Sequence, residues 1–157
     1  SGPCLTLNRL VVLARFGEPL QRDLHIGIDL AGPAGTPVHA FYDGIIFKLG
    51  DNALPYDYGP TIITRHIWKD QTIYALHGHL SRESLQRWQE GDVFTAGDEI
   101  ATLGDKDING GWNPHLHFQL SWIKPISFDL PGTVNQRERE AALKAFPDPR
   151  LVLGPLY

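Results

Sequence analysis

Glycine and proline set the limits on this fold. Sixteen Gly and twelve Pro cut a 157-residue chain into short apolar runs rich in β-branched residues. Such runs, bounded by turn residues, read as strands, so a mainly β architecture is expected. They fall at residues 10–14, 36–40, 44–49, 61–67, 72–76, 99–103 and 115–122. Gly32-Pro33, Asp43-Gly44, Gly91-Asp92 and Gly97-Asp98 supply turns between them. Two helices are expected. Ser81 can N-cap one over 82–89, stopped near Gly91. Asn135 with Glu138 makes a capping-box signature opening a second over 136–146, which Pro147 ends. Two longer loops, 50–60 and 104–114, are rich in Gly, Asp and Asn, and long loops in compact domains often carry function.

The length fits one domain, and a chain of this size buries roughly 68–70% of its unfolded surface without staples. The net charge of −4 with neutral His gives no basic footprint for nucleic acid and no polybasic membrane signal. No stretch approaches the roughly 20 apolar residues of a membrane span. Cys4 is the sole cysteine, so neither an internal disulfide nor a thiolate zinc site can form. Any metal must be held by His and carboxylates. The sequence has no Met, so the chain is expected to be a piece processed or cut from a longer product.

Five of the seven histidines sit in three short motifs. In His25-Ile26-Gly27-Ile28-Asp29 both end groups have zinc-ligand chemistry. A straight strand would hold their Cα atoms roughly 13 Å apart, at about 3.3 Å per residue. The segment must therefore bend, and Gly27 at its midpoint permits that. In His115-Leu116-His117-Phe118-Gln119-Leu120 the polar and apolar residues alternate, so a strand sets both imidazoles and Gln119 on one face. Pro114 suits the start of that strand. His77-Gly78-His79 would likewise place two imidazoles on one face if extended. A single His-x-His pair means little, but three such motifs abutting strand-like runs point to one site. His39 and His66 read as isolated surface histidines without a role. Tyr56, Tyr58, Trp112 and Trp122 are candidates to line a groove, Trp122 being equally well explained as core packing.

Taken in order, these motifs resemble a family. His25-Ile26-Gly27-Ile28-Asp29-Leu30, Gly35-Thr36-Pro37-Val38, Asp43-Gly44, His79-Leu80-Ser81, Gly91-Asp92-Val93, Ala96-Gly97 and His115-Leu116-His117-Phe118 are similar to the lysostaphin-type (LytM-like) zinc metallopeptidases, which are peptidoglycan endopeptidases. The resemblance covers about residues 16–122. It implies Zn2+ held by His25, Asp29 and His117, with His79 and His115 as catalytic histidines. It also implies an antiparallel β-sheet groove in a barrel-sandwich hybrid arrangement, walled by loops. The chain departs from the family at His77, where Tyr is usual, and at Gln119, where Glu is frequent. The 105–113 loop, Asp-Lys-Asp-Ile-Asn-Gly-Gly-Trp-Asn, replaces a Gly/Ser-rich one.

The expected organisation is a metallopeptidase-like domain over 1–126 and a C-terminal extension or interdomain linker over 127–157. Residues 147–154 resemble a segment of bacterial chains that join such a domain to a kinase-like domain and a class III aminotransferase. That implies fused neighbours and a cytoplasmic parent; otherwise the periplasm or secretion is expected. The expected function is hydrolysis of a peptide (amide) bond in peptidoglycan-type cross-links or short peptides. The alternatives are an idle LytM-like binding or regulatory module and a zinc amidohydrolase serving a fused enzyme.

Overall fold

A computed structural model describes residues 24–155, so the strand expected at 10–14 lies outside the described residues. In chain order the elements are β1 (Leu24–His25), β2 (Ile28–Ala31), β3 (Pro37–His39), β4 (Gly44–Asn52), β5 (Gly59–Trp68), β6 (Gln71–Gly78), α1 (Arg82–Gln86), β7 (Val93–Phe94), β8 (Glu99–Thr102), β9 (His115–Ser121), β10 (Thr133–Val134), a 3-10 turn (Gln136–Glu138), α2 (Arg139–Ala145) and α3 (Arg150–Leu153). The centre is a six-stranded antiparallel sheet, ordered β2-β9-β6-β5-β4-β7 and open at both ends. The pairs β3–β8 and β1–β10 form two small antiparallel ladders beside it.

The central strands are covered on both faces, so consecutive residues along β5 are buried. Ile62 packs in the larger core with Ile46, Ile73, Leu80, Ile100 and Leu120. Its neighbour Ile63 points the other way, into a smaller cluster with Tyr58, Tyr74 and Leu76. Each such side chain contributes about 1.5–3 kcal/mol by leaving water. The smaller cluster lies on the face that carries the histidines of β9, because Leu76 is the cross-strand partner of Gln119 and Ile63 that of Leu76.

Most expected strands appear, with shifted ends. Asp51 and Asn52 carry no apolar signal, yet β4 continues through them, Asn52 pairing with Gly59. The Asn52 Nδ2 donates to Thr61 Oγ1 and to the Phe128 carbonyl, both at 3.1 Å, which stabilises the extra pairing. The long loop thus shrinks to 53–58. The helix after Ser81 is shorter than expected: Ser81 does cap it, accepting from the Ser84 N–H. It stops at Gln86 because Trp88 turns inward to bond the Ile100 carbonyl at 2.8 Å and Asp92 captures the Gln89 N–H at 2.7 Å. The capping box at Asn135 and Glu138 forms, but its first turn is 3-10 before α2 begins. Phe146 is extended, the conformation favoured before Pro147.

His66 corrects the surface reading given above: it is 2% exposed, packed on Phe41 and Phe94. Its Nδ1–H donates to the Asp43 carbonyl at 2.9 Å, and Thr64 Oγ1 meets Nε2 at 2.7 Å. Burial lowers its pKa, only partly opposed by nearby carbonyls. The residues beyond 122 are laid on the body of the fold. The Trp122 N–H donates to the Ala145 carbonyl, and Val152 and Leu153 pack on the larger core. Among the described residues no helix is long and apolar enough to cross a membrane.

Candidate active site

The site begins with a bend. β1 ends at His25 and β2 starts at Ile28, and between them Gly27 adopts φ +96°, a region that side chains disfavour. A Cβ there would lie 2.5 Å from the Phe118 carbonyl oxygen. Through this bend the His25 Nε2 comes within 3.3 Å of Asp29 Oδ1, across the three residues between them. The register of β2 on β9 does the rest. Asp29 is the cross-strand partner of His117, so the two side chains share a face. His117 Nδ1 lies 3.1 Å from Asp29 Oδ1 and 3.1 Å from His25 Nε2.

These three atoms form a nearly equilateral triangle with edges of 3.1–3.3 Å. Ligands of a tetrahedral zinc ion with bonds of 2.0–2.1 Å are separated by about 3.3 Å, so the donor set and its spacing fit that ion. Among the described residues this is the group of His, Cys, Asp or Glu with metal-binding geometry. Burial by itself would raise the Asp29 carboxyl. The hydrogen bonds and charges of His117 and His25 outweigh it and hold the carboxyl far below the usual range. Gln119 shares the His117 face as expected: its Oε1 lies 3.0 Å from His117 Nε2.

His79 and His115 stand beside the triangle, their rings 4.4 Å apart. His115 Nε2 is 3.8 Å from Asp29 Oδ1. Both rings are held from behind in the same way. His79 Nδ1–H donates to the Asn109 carbonyl at 2.8 Å and His115 Nδ1–H to the Asn113 carbonyl at 2.7 Å. In each neutral ring this leaves Nε2 as the acceptor. Burial first, and then the adjacent His115, push the His79 pKa down to about 3 against the pull of the Asn109 carbonyl.

The expectation that His77 and His79 share a face fails. β6 ends at Gly78, and His79 takes φ +61°, a left-handed conformation uncommon for a residue with a side chain. It is fixed by two backbone bonds, its N–H to the Tyr58 carbonyl at 2.7 Å and its carbonyl from the Gly104 N–H at 2.9 Å. His77 instead pairs with Phe118 and faces the larger core, 2% exposed, with Nδ1–H on the Ile62 carbonyl at 3.2 Å. Burial, followed by the proximity of His66, lowers its pKa to about 4.

An open groove of about 690 Å³ runs over the site. One wall carries Leu54, Tyr56, Asp57, Tyr58 and Trp112, from two loops locked together. The Tyr56 N–H donates to the Gly110 carbonyl at 2.9 Å and the Trp112 indole to the Asp57 carbonyl at 3.3 Å. The other wall is the run 129–133. Of the aromatic candidates Tyr56, Tyr58 and Trp112 line the groove, whereas Trp122 packs against the larger core. Tyr58 is 8% exposed, its ring against His117 and its hydroxyl donating to the Leu130 carbonyl at 3.0 Å. Burial raises the phenol pKa, and the charges of Asp129, Asp57 and Asp29 push the same way, so it stays a neutral donor.

Three contributors escaped the sequence reading. Asn109 is fully buried and folds the 105–113 loop by bonding Gly104 and both backbone groups of Trp112. Asn113 holds His115 through a carbonyl, which no sequence pattern marks. The run 129–133 lies outside every motif, whereas the 104–114 loop was marked by its length and its Gly, Asp and Asn content.

The family described as Peptidase family M23 matches residues 23–129. The DD-carboxypeptidase/endopeptidase Mpg of Neisseria meningitidis is 36% identical over 126 residues, covering 78% of this chain and 26% of that protein. The chain thus spans about a quarter of the length of such curated relatives. The catalytic domain of the prophage-encoded M23 protein EnpA from Enterococcus faecalis superposes with a TM-score of 0.53 at 25% identity, over 77% of this chain and 92% of that one. The catalytic domain of lysostaphin from Staphylococcus simulans gives 0.54 at 24% identity, over 81% and 85%, a likeness of fold.

Proposed function

The chain belongs to peptidase family M23, and from that premise we propose that it is a zinc-dependent metalloendopeptidase that cleaves a peptide bond in peptidoglycan-type cross-links or related short peptides. The observation that carries this is the 3.1–3.3 Å triangle of His25 Nε2, Asp29 Oδ1 and His117 Nδ1 with two further imidazoles beside it. His25, Asp29 and His117 would hold the ion. When bound, zinc supplies a Lewis acid that polarises a carbonyl and makes water acidic enough to attack near neutral pH.

The remaining chemistry belongs to His79 and His115. Each presents an unprotonated Nε2 to the site, with its Nδ1–H anchored on a carbonyl. One takes the proton of the attacking water, and as imidazolium returns it to the leaving amine. The other can stabilise the negative charge developing on the carbonyl oxygen when its Nε2 also carries a proton, since only an N–H donates to an oxyanion. The buried Tyr58 hydroxyl excludes water from the rear of the site rather than titrating there. Leu54, Tyr56 and Trp112 offer an apolar wall to an extended substrate. The substrate class draws support from Mpg, whose name records carboxypeptidase and endopeptidase activity.

Elemental analysis of the purified protein and a cleavage panel of peptidoglycan fragments test this reading. One equivalent of zinc is expected, lost in His25→Ala and Asp29→Ala and retained in His79→Ala, which should be inactive. Loss of zinc in His79→Ala would refute the division between ligands and proton-transfer groups. Bound zinc with no cleavage of peptides or other amides would favour an idle binding module.

A further inference from the structure

The run 129–133 does more than wall the groove. It is tied to the site at four successive backbone positions. The Leu130 carbonyl accepts from Tyr58 Oη at 3.0 Å, the Pro131 carbonyl from Gln119 Nε2 at 3.1 Å and the Gly132 carbonyl from the Ile26 N–H at 2.8 Å, while Thr133 pairs with His25. Residues 130–133 lie beyond the matched family region, which ends at 129.

We infer that the Pro131 carbonyl, acting through the side chain of Gln119, dictates which nitrogen His117 offers to the metal, and that Gln119 is thereby a positioning residue. This deepens the ligand reading above and rests on it. The argument is one of donors and acceptors. The Gln119 side chain is fully buried between two partners, with Nε2 on Pro131 and Oε1 on His117 Nε2 at 3.0 Å. A carbonyl oxygen only accepts, so Pro131 claims the amide NH2 end of Gln119. The amide oxygen must then face His117. That oxygen also only accepts, so His117 Nε2 carries the hydrogen. A neutral imidazole has a single N–H, which leaves Nδ1 bare. Nδ1 is the atom 3.1 Å from both Asp29 Oδ1 and His25 Nε2.

Reversing the amide would break the chain at both ends. Two oxygens would oppose each other at Pro131, and an NH2 would demand the lone pair of His117 Nε2. The single hydrogen of the ring would then sit on Nδ1 and block coordination. The Tyr58 hydroxyl does not stabilise the reversed state, because it is committed to Leu130 and lies 3.5 Å from Gln119 Oε1. The carbonyl that sets the amide is itself held on both sides by the bonds to Leu130 and Gly132.

Nuclear magnetic resonance of the zinc-loaded protein reads this directly. The Gln119 side-chain amide protons are expected to show cross-relaxation to Pro131 and Gly132, and the His117 Nε2–H to appear as a solvent-protected resonance. Amide protons close to the His117 ring would overturn the inference. Chelator competition supplies the second arm. Gln119→Leu removes the acceptor and should weaken zinc binding roughly 10–100-fold, the scale seen when an outer partner of a ligand is lost. Gln119→Glu retains an acceptor for His117 and should recover most of that loss, which a purely packing role would not produce. Equal zinc affinity in Gln119→Leu and the unaltered protein would also overturn it. If the unaltered protein binds no zinc, the ligand reading falls, and the same amide contacts measured in the metal-free protein still decide the relay.

Discussion

Gly27→Ala tests the bend on which the site depends. The new side chain faces two separate costs. Holding an L-residue at φ +96° costs about 1–3 kcal/mol. Its Cβ would stand 2.5 Å from the Phe118 carbonyl oxygen and 3.1 Å from Gln119 Cβ, and neither is the free end of a flexible chain. Relieving such an overlap inside a packed sheet costs about another 1–3 kcal/mol. Together they predict a loss of about 2–6 kcal/mol, or a fall in Tm of roughly 5–20 °C for a chain of this size. The relief must come from moving β2 away from β9, which pulls Asp29 from its cross-strand partner His117. Zinc affinity should therefore drop by at least the roughly 10–100-fold that follows loss of an outer partner. Gly35→Ala is the control: φ is +85° with nothing within 4 Å of the new Cβ, so only the strain applies. Thermal melts in chelator and zinc titrations of both variants decide the matter. Indistinguishable Tm and zinc affinity for the two would refute the steric argument.

Other outcomes follow from buried and strained histidines. His77 has its pKa lowered to about 4 by burial, whereas an unfolded chain has about 6.5. The unfolded state binds the extra proton between those values. Stability is therefore full above about pH 6.5 and declines as pH falls toward 4, by up to ~3 kcal/mol from this residue. Urea melts across that range should be flatter for His77→Phe than for the unaltered protein, and equal slopes would exclude His77 as a source. At position 79 the left-handed backbone inverts the usual preference: His79→Gly should be more stable than His79→Ala by about 1 kcal/mol, with both inactive. Denaturation midpoints in the opposite order would show that the strain is absent.

The parts of this molecule legible in the sequence are those with a strict period or a fixed special residue. Alternation over 115–120 placed His115, His117 and Gln119 on one face, and Gly27 marked the bend, because both effects are local. The His77-Gly78-His79 motif misled for the opposite reason. Its face is decided by where β6 loses its partner, and that depends on β9, some forty residues away. His66 looked like a surface residue because its partners are the Asp43 carbonyl and a neighbouring Thr64 hydroxyl, and a carbonyl leaves no signature in sequence. The same holds for Asn109, Asn113 and Pro131, which act on the histidines through main-chain oxygens. Strand ends at Asp51 and Asn52 were hidden because pairing there rests on an Asn52 side-chain bond rather than on apolar pattern.

The two loops of the aromatic wall are joined to each other and to His79 by hydrogen bonds, the Asn109 carbonyl being the last of them. Cleft width and chemical readiness are thus mechanically one variable. Any breathing that lifts residues 105–113 to admit a bulkier chain releases the imaginary hinge-pin behind His79 and lets that ring swing. On the proposed function, a substrate too bulky for this cleft would cost the site the orientation of His79 as well as meet the wall by collision.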